Sequence, residues 1–402
     1  MECNDFEEIN MEKKYNILLV HNYYQIKGGE DTVVSNEKKL LEEHGHKVIL
    51  YSRNNKEINE FNKLRKIMLP FTTIFSYKTF KDLNKIIKKN KIDIVHVHNT
   101  LTLVSPAVYY SALICNIPLV QTIHNFRMVC PSATFYRNGN ICEECITKNL
   151  FCAIKYSCYR NNRIQTLACV INTKIHRYLG IYKKINYICL TEFNKEKLLE
   201  INNKKAKIID EAKIYVKPNF TIDSSEKNYD MKRKPQFVFA GRLDKAKGID
   251  LLFKAWKNID NLELIVCGTG PEEQWCKDYI IKNKIKSIKM IGLVDNKEVK
   301  KIISESKGLI LPTQWYEGFP MSILESFSCG TPVIGSNIGN VGNLIIDGIN
   351  GYKFDTIEEL IEKINLLIEK DLSTSVRNHY KDKYSKKENY KCLMQIYSSV
   401  KK

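Results

Sequence analysis

Glu317-Gly-Phe-Pro-Met-Ser-Ile-Leu-Glu325 is the stretch whose reading decides the fold. Just before it, Lys307-Gly-Leu-Ile-Leu-Pro312 has the short, continuous apolar character of a strand buried on both faces. Just after it, Ser322–Ser328 reads as a helix, with Pro320 near its first turn, where the missing N–H costs nothing. The unit is therefore strand, loop, helix N-terminus. Unpaired backbone N–H groups and the positive end of the helix dipole then face whatever lies above the sheet. That is a cradle for an anion such as a diphosphate. Glu317 enters it from the loop, and Glu325 follows about two helical turns on. Both can accept hydroxyl hydrogen bonds, one from a sugar and the other from a ribose.

Working outward, the same rhythm fills the chain. Asn16-Ile-Leu-Leu-Val20 reads as a central parallel strand, followed by the glycine turn Gly28-Gly29-Glu30 and an amphipathic helix through Leu41. Lys47–Tyr51, Asp93–Asn99 and Pro118–Asn125 read as further strands, the last two ending in His96, His98 and His124. Polar residues at the carboxyl ends of successive strands mark where an open α/β sheet holds ligands. After a helix over Ile164–Tyr178 and a strand over Tyr187–Thr191, the polar, lysine-rich stretch 223–235 reads as a linker. Phe237–Ala240, Leu262–Val266, Ile288–Ile291 and Pro332–Gly335 then repeat the strand pattern. The expected fold class is α/β, with two Rossmann-like doubly wound domains facing a central cleft. They span 15–222 and 236–384, after a tail over 1–14. The stretch 385–402, with Tyr390, Leu393, Met394 and Tyr397 on one face, is expected as a helix packing back on the N-terminal domain.

A chain of 402 residues exceeds one ordinary core, which agrees with two domains. Lys plus Arg number 63 against 45 Asp plus Glu, a net +18, which favours anionic partners. The basic residues are not interleaved with aromatics as in a stacking platform, so nucleic acid is not the expected partner. The opening dozen residues lack an apolar signal-peptide core, and the apolar region Ile92–Ile123 is broken by polar residues and prolines. The expected location is the cytoplasm, where 13 cysteines do not form a disulfide framework.

Together, Gly28-Gly29-Glu30, His124-Asn125, Gly241-Arg242-Leu243 with Lys247-Gly248, Gly268-Thr-Gly270-Pro271, the Glu317/Glu325 pair and Cys329-Gly-Thr-Pro-Val-Ile334 resemble the family 4 glycosyltransferases of the GT-B architecture. The resemblance runs from Ile17 to about Tyr397. It implies transfer of a sugar from a nucleotide-sugar donor, a UDP- or GDP-sugar, to a glycan or lipid-linked acceptor with retention of anomeric configuration, in cell-surface polysaccharide or glycoconjugate synthesis. It implies that Arg242 and Lys247 hold the donor diphosphate, that Glu317 contacts the donor sugar and that Glu325 grips the ribose. His124 would lie near the reacting sugar. Gly28, Gly29, Gly241, Gly268, Gly270, Gly318, Phe319, Pro320 and Met321 would form the rest of the donor site. No catalytic metal is required, in keeping with the absence of any Asp-x-Asp. One departure is Gly339-Asn-Val-Gly-Asn343, where the family more often carries a glycine pair and a glutamate. An epimerase or a phosphorylase on the same fold, and a basic binding protein without enzymatic activity, are the competing readings.

Two segments stand outside this pattern. Within the insertion 130–158, Cys142-Glu-Glu-Cys145 lies between Cys130 upstream and Cys152 and Cys158 downstream. That composition suits a structural, tetrahedral zinc. The resemblance implies Cys130, Cys142, Cys145 and Cys158 as its ligands. Lys63–Lys91 carries nine cations against the single acid Asp82, around the apolar run Met68–Phe75. It is expected to hold the protein peripherally on an anionic membrane, at the inner face of the plasma membrane.

Overall fold

The computed structural model describes residues 13–26, 28–202, 206–223 and 233–401. Most of the expected tail (1–14) and most of the expected linker (223–235) lie outside these residues. Two compact units result. One comprises residues 1–135, 142–219 and 389–402, and the other 136–141 and 220–388.

The first unit holds strands β1 (Asn16–Tyr23), β2 (Lys47–Asn54), β3 (Ile94–Val97) and β4 (Leu119–Ile123). The antiparallel ribbon of β5 (Tyr136–Arg137) and β6 (Asn140–Ile141), grouped with the second unit, comes next in the chain. Strands β7 (Asn186–Cys189) and β8 (Ile214–Val216) complete the first sheet, with order β2-β1-β3-β4-β7-β8. Every neighbouring pair is parallel. Ile17, Leu18, Leu19, Val20, Ile94, Val95 and Val97 are fully buried, as expected for strands covered on both faces.

The second unit repeats the design. Its strands are β9 (Lys234–Ala240), β10 (Glu263–Cys267), β11 (Ile288–Gly292), β12 (Ser306–Leu311), β13 (Val333–Ser336) and β14 (Gly351–Phe354). They lie in the order β11-β10-β9-β12-β13-β14, again all parallel. Both sheets are doubly wound, with the order reversing between β1 and β3 and between β9 and β12. The core of this unit gathers Phe237, Phe239, Phe253, Trp256, Phe327 and Ile334.

The helix Lys386–Val400 buries Tyr390, Leu393, Met394 and Tyr397, the face read from the sequence. It belongs to the first unit, where the Tyr390 hydroxyl meets His46 Nε2 at 2.9 Å and the Tyr397 hydroxyl meets His96 Nδ1 at 2.7 Å. Lys63–Lys91 folds as two helices, Lys63–Ile74 and Tyr77–Asn90. Two strand ends extend three residues beyond the apolar runs that announced them, because ladder pairing continues through polar residues: His21-Asn22-Tyr23 of β1 pairs with Ser52-Arg53-Asn54 of β2.

Candidate functional site

In the second unit, three loops meet at the carboxyl ends of adjacent strands. The Leu243 N–H, after β9, donates to the Thr269 carbonyl, after β10, at 3.0 Å. The Gln314 N–H, after β12, donates to the Ala246 carbonyl at 2.8 Å. Glycine is required at two points of closest approach. Gly268 has φ +136°, and a Cβ there would lie 1.9 Å from the Gly241 carbonyl oxygen. Gly248 has φ +69°, and its Cβ would lie 1.8 Å from the Pro312 oxygen. These positions bring the Gly241–Gly248 and Gly268–Pro271 segments together as the motif reading required.

Glu317 is at the centre. Its Oε1 accepts hydrogen bonds from Lys247 Nζ at 2.6 Å, Trp315 Nε1 at 2.7 Å and Thr313 Oγ1 at 3.2 Å. At 9% exposure, three donors on one oxygen fix the carboxylate. The Lys247 ammonium has three N–H donors, so it can serve Glu317 and an anionic oxygen together. Arg242 lies 3.6 Å from Asp244, with its side chain 67% exposed. Behind the loop, Asn340 is fully buried and its Nδ2 donates to the carbonyls of Glu317 and Gly318 at 2.6 and 2.7 Å. Trp315, Thr313 and Asn340 were not read from the sequence. Asn340 is the first of two asparagines in the departing segment Gly339–Asn343, which the structure shows as the start of the helix Gly339–Leu344 rather than a loop, and in this chain it supports the backbone carrying Glu317.

The helix Met321–Ser328 starts one residue before the expected Ser322, with Pro320 as its N-cap and no side-chain cap. Its first N–H groups are therefore not claimed by a capping side chain. Glu325, half-buried on that helix, accepts from Asn296 Nδ2 at 2.7 Å. Burial pushes its carboxyl up, while Asn296 and Lys300 pull it down. Asn296 opens the helix Asn296–Glu305 after β11, a sequence-distant partner that the motif did not reveal.

The first unit has its own polar centre at the ends of β3 and β4. A cavity of about 70 Å³ is lined by His98, Asn99, Gln121, His124, Asn125 and Arg127, among others. His124 Nε2 and His98 Nδ1 are 2.9 Å apart. Burial holds the His98 imidazole down at about 4, and His124 well below the ordinary histidine value. Gly28 and Gly29 open the helix Gly29–Glu43, whose start is closed by Asp31 Oδ2 accepting from the Gly28 N–H at 3.0 Å. Glu30, beside them, is raised to about 8, by burial first and then by the charge of Asp31.

The insertion brings its cysteines near one another. Burial, then the neighbouring Cys130, Cys158, Cys152 and Cys142, push the Cys145 thiol up to about 12. Cys130, Cys142, Cys145 and Cys158 are in no disulfide. Among the described residues, only Glu37/His96/His98 and His21/Glu30/Asp31 place three ligand atoms within 4.8 Å of one another. Sulfurs around a tetrahedral zinc, at bonds of about 2.3 Å, would be closer together than that.

Comparison with known proteins agrees with this architecture. Residues 27–139 match the model for Glycosyltransferase Family 4, and residues 221–387 that for Glycosyl transferases group 1. An uncharacterized glycosyltransferase of Methanocaldococcus jannaschii is 26% identical over 392 residues, covering 94% of this chain and 96% of that protein. An uncharacterized 41.2 kDa protein in the cps region of Klebsiella pneumoniae is 24% identical over 398 residues, covering 95% and 99%. Among solved structures, the lipopolysaccharide outer core galactosyltransferase WaaB in its apo form aligns with TM-score 0.63 at 16% identity, over 95% of this chain and 99% of that one. Anabaena HepE in complex with UDP aligns with TM-score 0.65 at 14% identity, over 96% and 100%. With the strand order, the glycine approaches and the clamped Glu317 in place, these matches establish that the chain belongs to the family 4 glycosyltransferases, on the GT-B fold.

Proposed function

We propose that this chain moves a sugar from a UDP- or GDP-sugar to a glycan or lipid-linked acceptor, with retention of anomeric configuration, in the synthesis of a cell-surface polysaccharide or glycoconjugate. The observation that carries this reading is the Glu317 carboxylate, fixed by Lys247, Trp315 and Thr313 beside an uncapped helix N-terminus. The donor diphosphate would lie against the first N–H groups of Met321–Ser328, with Gly318, Phe319 and Pro320 leading into them. Lys247 and Arg242 would offset the charge that builds on the leaving diphosphate, which is stabilisation aimed at the transition state. Glu317 would orient the sugar, and Glu325 with Asn296 would hold the ribose hydroxyls. His124 would act on the sugar as a neutral imidazole, consistent with its lowered basicity. The neighbour solved with UDP-glucose supports a nucleotide-sugar donor. A melting series with UDP-, GDP- and ADP-sugars tests the donor class. Stabilisation by one nucleotide series supports it, and indifference to all three removes it.

An anionic membrane surface is the proposed docking partner. The helix Lys63–Ile74 turns Leu64, Ile67 and Phe71 to solvent, at 68%, 67% and 63% exposure. The helix Arg163–Tyr178 packs against it and exposes Ile164, Leu167, Ile171, Ile175 and Tyr178 along one face at helical spacing. Lys63, Arg65 and Lys66 are exposed beside them. An exposed apolar patch flanked by cations matches a leaflet that offers acyl chains beneath anionic headgroups. Among the described residues no helix is long and apolar enough to cross a membrane.

A further inference from the structure

Beneath the cavity wall of the first unit lies a charged network that no motif announced. Glu37, in the helix Gly29–Glu43, is 1% exposed. Its Oε2 lies 3.3 Å from Lys217 Nζ, itself 1% exposed. Its Oε1 lies 3.1 Å from His96 Nδ1 and 3.3 Å from His98 Nε2. His98 Nδ1 then meets His124 Nε2 at 2.9 Å. The row Glu37–His98–His124 thus runs from a fully buried carboxylate to a half-buried ring in the cavity wall.

The chemistry of this row has one consistent proton order. Lys217 holds Glu37 ionised, and the carboxylate is well below its ordinary value despite its burial. An ionised carboxylate only accepts. At 3.3 Å, Glu37 Oε1 and His98 Nε2 form a charge contact rather than a hydrogen bond, and both atoms are buried without a hydrogen-bond partner among the described residues. The adjacent negative charge favours the His98 proton on Nε2, facing Glu37, and leaves a lone pair at Nδ1. His124 Nε2 must then donate to that lone pair, which leaves His124 Nδ1 unprotonated. The same three groups Glu37, His96 and His98 have the spacing of metal ligands. Here the cation against the carboxylate is the Lys217 ammonium, and a second buried cation beside it would be repelled.

We infer that Glu37 is a positioning residue for glycosyl transfer: through His98 it fixes the tautomer of His124, so that Nδ1 accepts a hydrogen bond from a sugar hydroxyl at the cavity. This rests on the glycosyl-transfer reading above. The acceptor is the feature that matters, because a hydroxyl donated to a neutral imidazole is oriented without a proton being exchanged. A carboxylate set behind an imidazole to choose its tautomer is a familiar use of the residue pair.

The experiment measures the histidine nitrogens of the full chain by ¹⁵N NMR near neutral pH, with His124 assigned through a His124→Gln variant. Wild-type protein is expected to show His124 unprotonated at Nδ1 and protonated at Nε2. In Glu37→Gln the amide can donate to His98, which reverses the order and protonates His124 Nδ1. The same variant is expected to lose about 10–100-fold in kcat, the range for removing a partner that orients a functional group, with KM for the donor nearly unchanged. Glu37→Gln leaves Lys217 buried without its counter-charge, so Glu37→Gln/Lys217→Met is made alongside it. The double variant should recover the melting temperature but not kcat. A wild-type His124 protonated at Nδ1 overturns the inference, as does a Glu37→Gln protein with the wild-type tautomer and wild-type kcat. If the tautomer is as stated but no nucleotide sugar is turned over, the transfer reading fails and the proton order stands.

Discussion

At the scale of single residues, the site depends on one carboxylate and one ammonium held 2.6 Å apart. Lys247→Ala is expected to lower turnover about 10²–10³-fold, the cost of removing one group that stabilises developing charge. Circular dichroism should show the fold unchanged, and near-normal kcat in this variant would remove the assignment. Glu317→Gln should impair kcat, whereas Glu325→Ala should chiefly raise KM for the donor, a split that steady-state kinetics resolves. Glu30 makes a second, pH-dependent prediction. Its folded value of about 8 lies above the ordinary 4.5, so the unfolded chain releases the proton first as pH rises. Stability is therefore lost between about pH 4.5 and 8. Glu30→Gln should remove that loss, and its urea midpoint should gain on wild type as pH is raised from 5 to 8. His98, held at about 4, acts at the other end: stability falls as pH drops from the ordinary histidine value of about 6.5 toward 4. A midpoint difference between Glu30→Gln and wild type that stays constant with pH would contradict the first assignment. The sequence made Lys247, Glu317 and Glu325 legible because each sits in a short motif with its own glycine or proline. Asn296, Asn340 and Glu37 were not legible, because each acts on a group 29, 23 or 61 positions away along the chain.

Among the elements, ten of the twelve strands in the two sheets were readable from apolar runs such as Ile17–Val20 and Leu309–Leu311, since parallel strands bury both faces, whereas the short edge strands β8 and β14 were not. The ribbon β5–β6 was missed although its signal was present. Asn138-Gly139 takes positive φ at both residues, 52° and 83°, the conformation that favours Asn-Gly in a two-residue hairpin turn. Loop geometry predicts that Gly268→Ala, needing a Cβ 1.9 Å from a carbonyl oxygen, costs at least about 1–3 kcal/mol in strain, read as a lower urea midpoint. For the exposed helix pair, sedimentation should show binding to anionic but not neutral vesicles, weakening with salt. Ile67→Asp/Phe71→Asp should abolish it, because both side chains face solvent and the fold loses no packing. Protein left in the supernatant with anionic vesicles would remove the docking proposal. Each cation near such a leaflet contributes about 1 kcal/mol, so Lys63, Arg65 and Lys66 acting together give a reversible attachment. The cysteine cluster has a simple check in elemental analysis of protein purified without chelator. One zinc per chain would mean that the sulfurs around Cys145 close further than the structure places them, and no zinc would leave them as free thiols.

For the molecule as a whole, two repeats of one doubly wound design were legible from the restart of the strand rhythm at Phe237. The stretch 385–402 is expected with the N-terminal domain, and the chain joins the first unit from Asn389. The apolar face of Tyr390, Leu393, Met394 and Tyr397 explains why that return was visible. What sequence could not supply is the grouping of 136–141 with the second unit, because no local pattern states which core a short ribbon joins. Net charge of +18 agrees with the anionic partners proposed here, a nucleotide diphosphate and a charged leaflet, without choosing between them. The central claim is a sugar transferred from a nucleotide diphosphate with its configuration kept. Its most direct test follows the anomeric proton by NMR while the protein acts on UDP- and GDP-sugars with candidate glycan acceptors. Release of the nucleoside diphosphate is expected, with a product whose anomeric coupling matches that of the donor, and both signals should be lost in Lys247→Ala. A product of inverted configuration, or turnover that survives loss of Lys247, would contradict it.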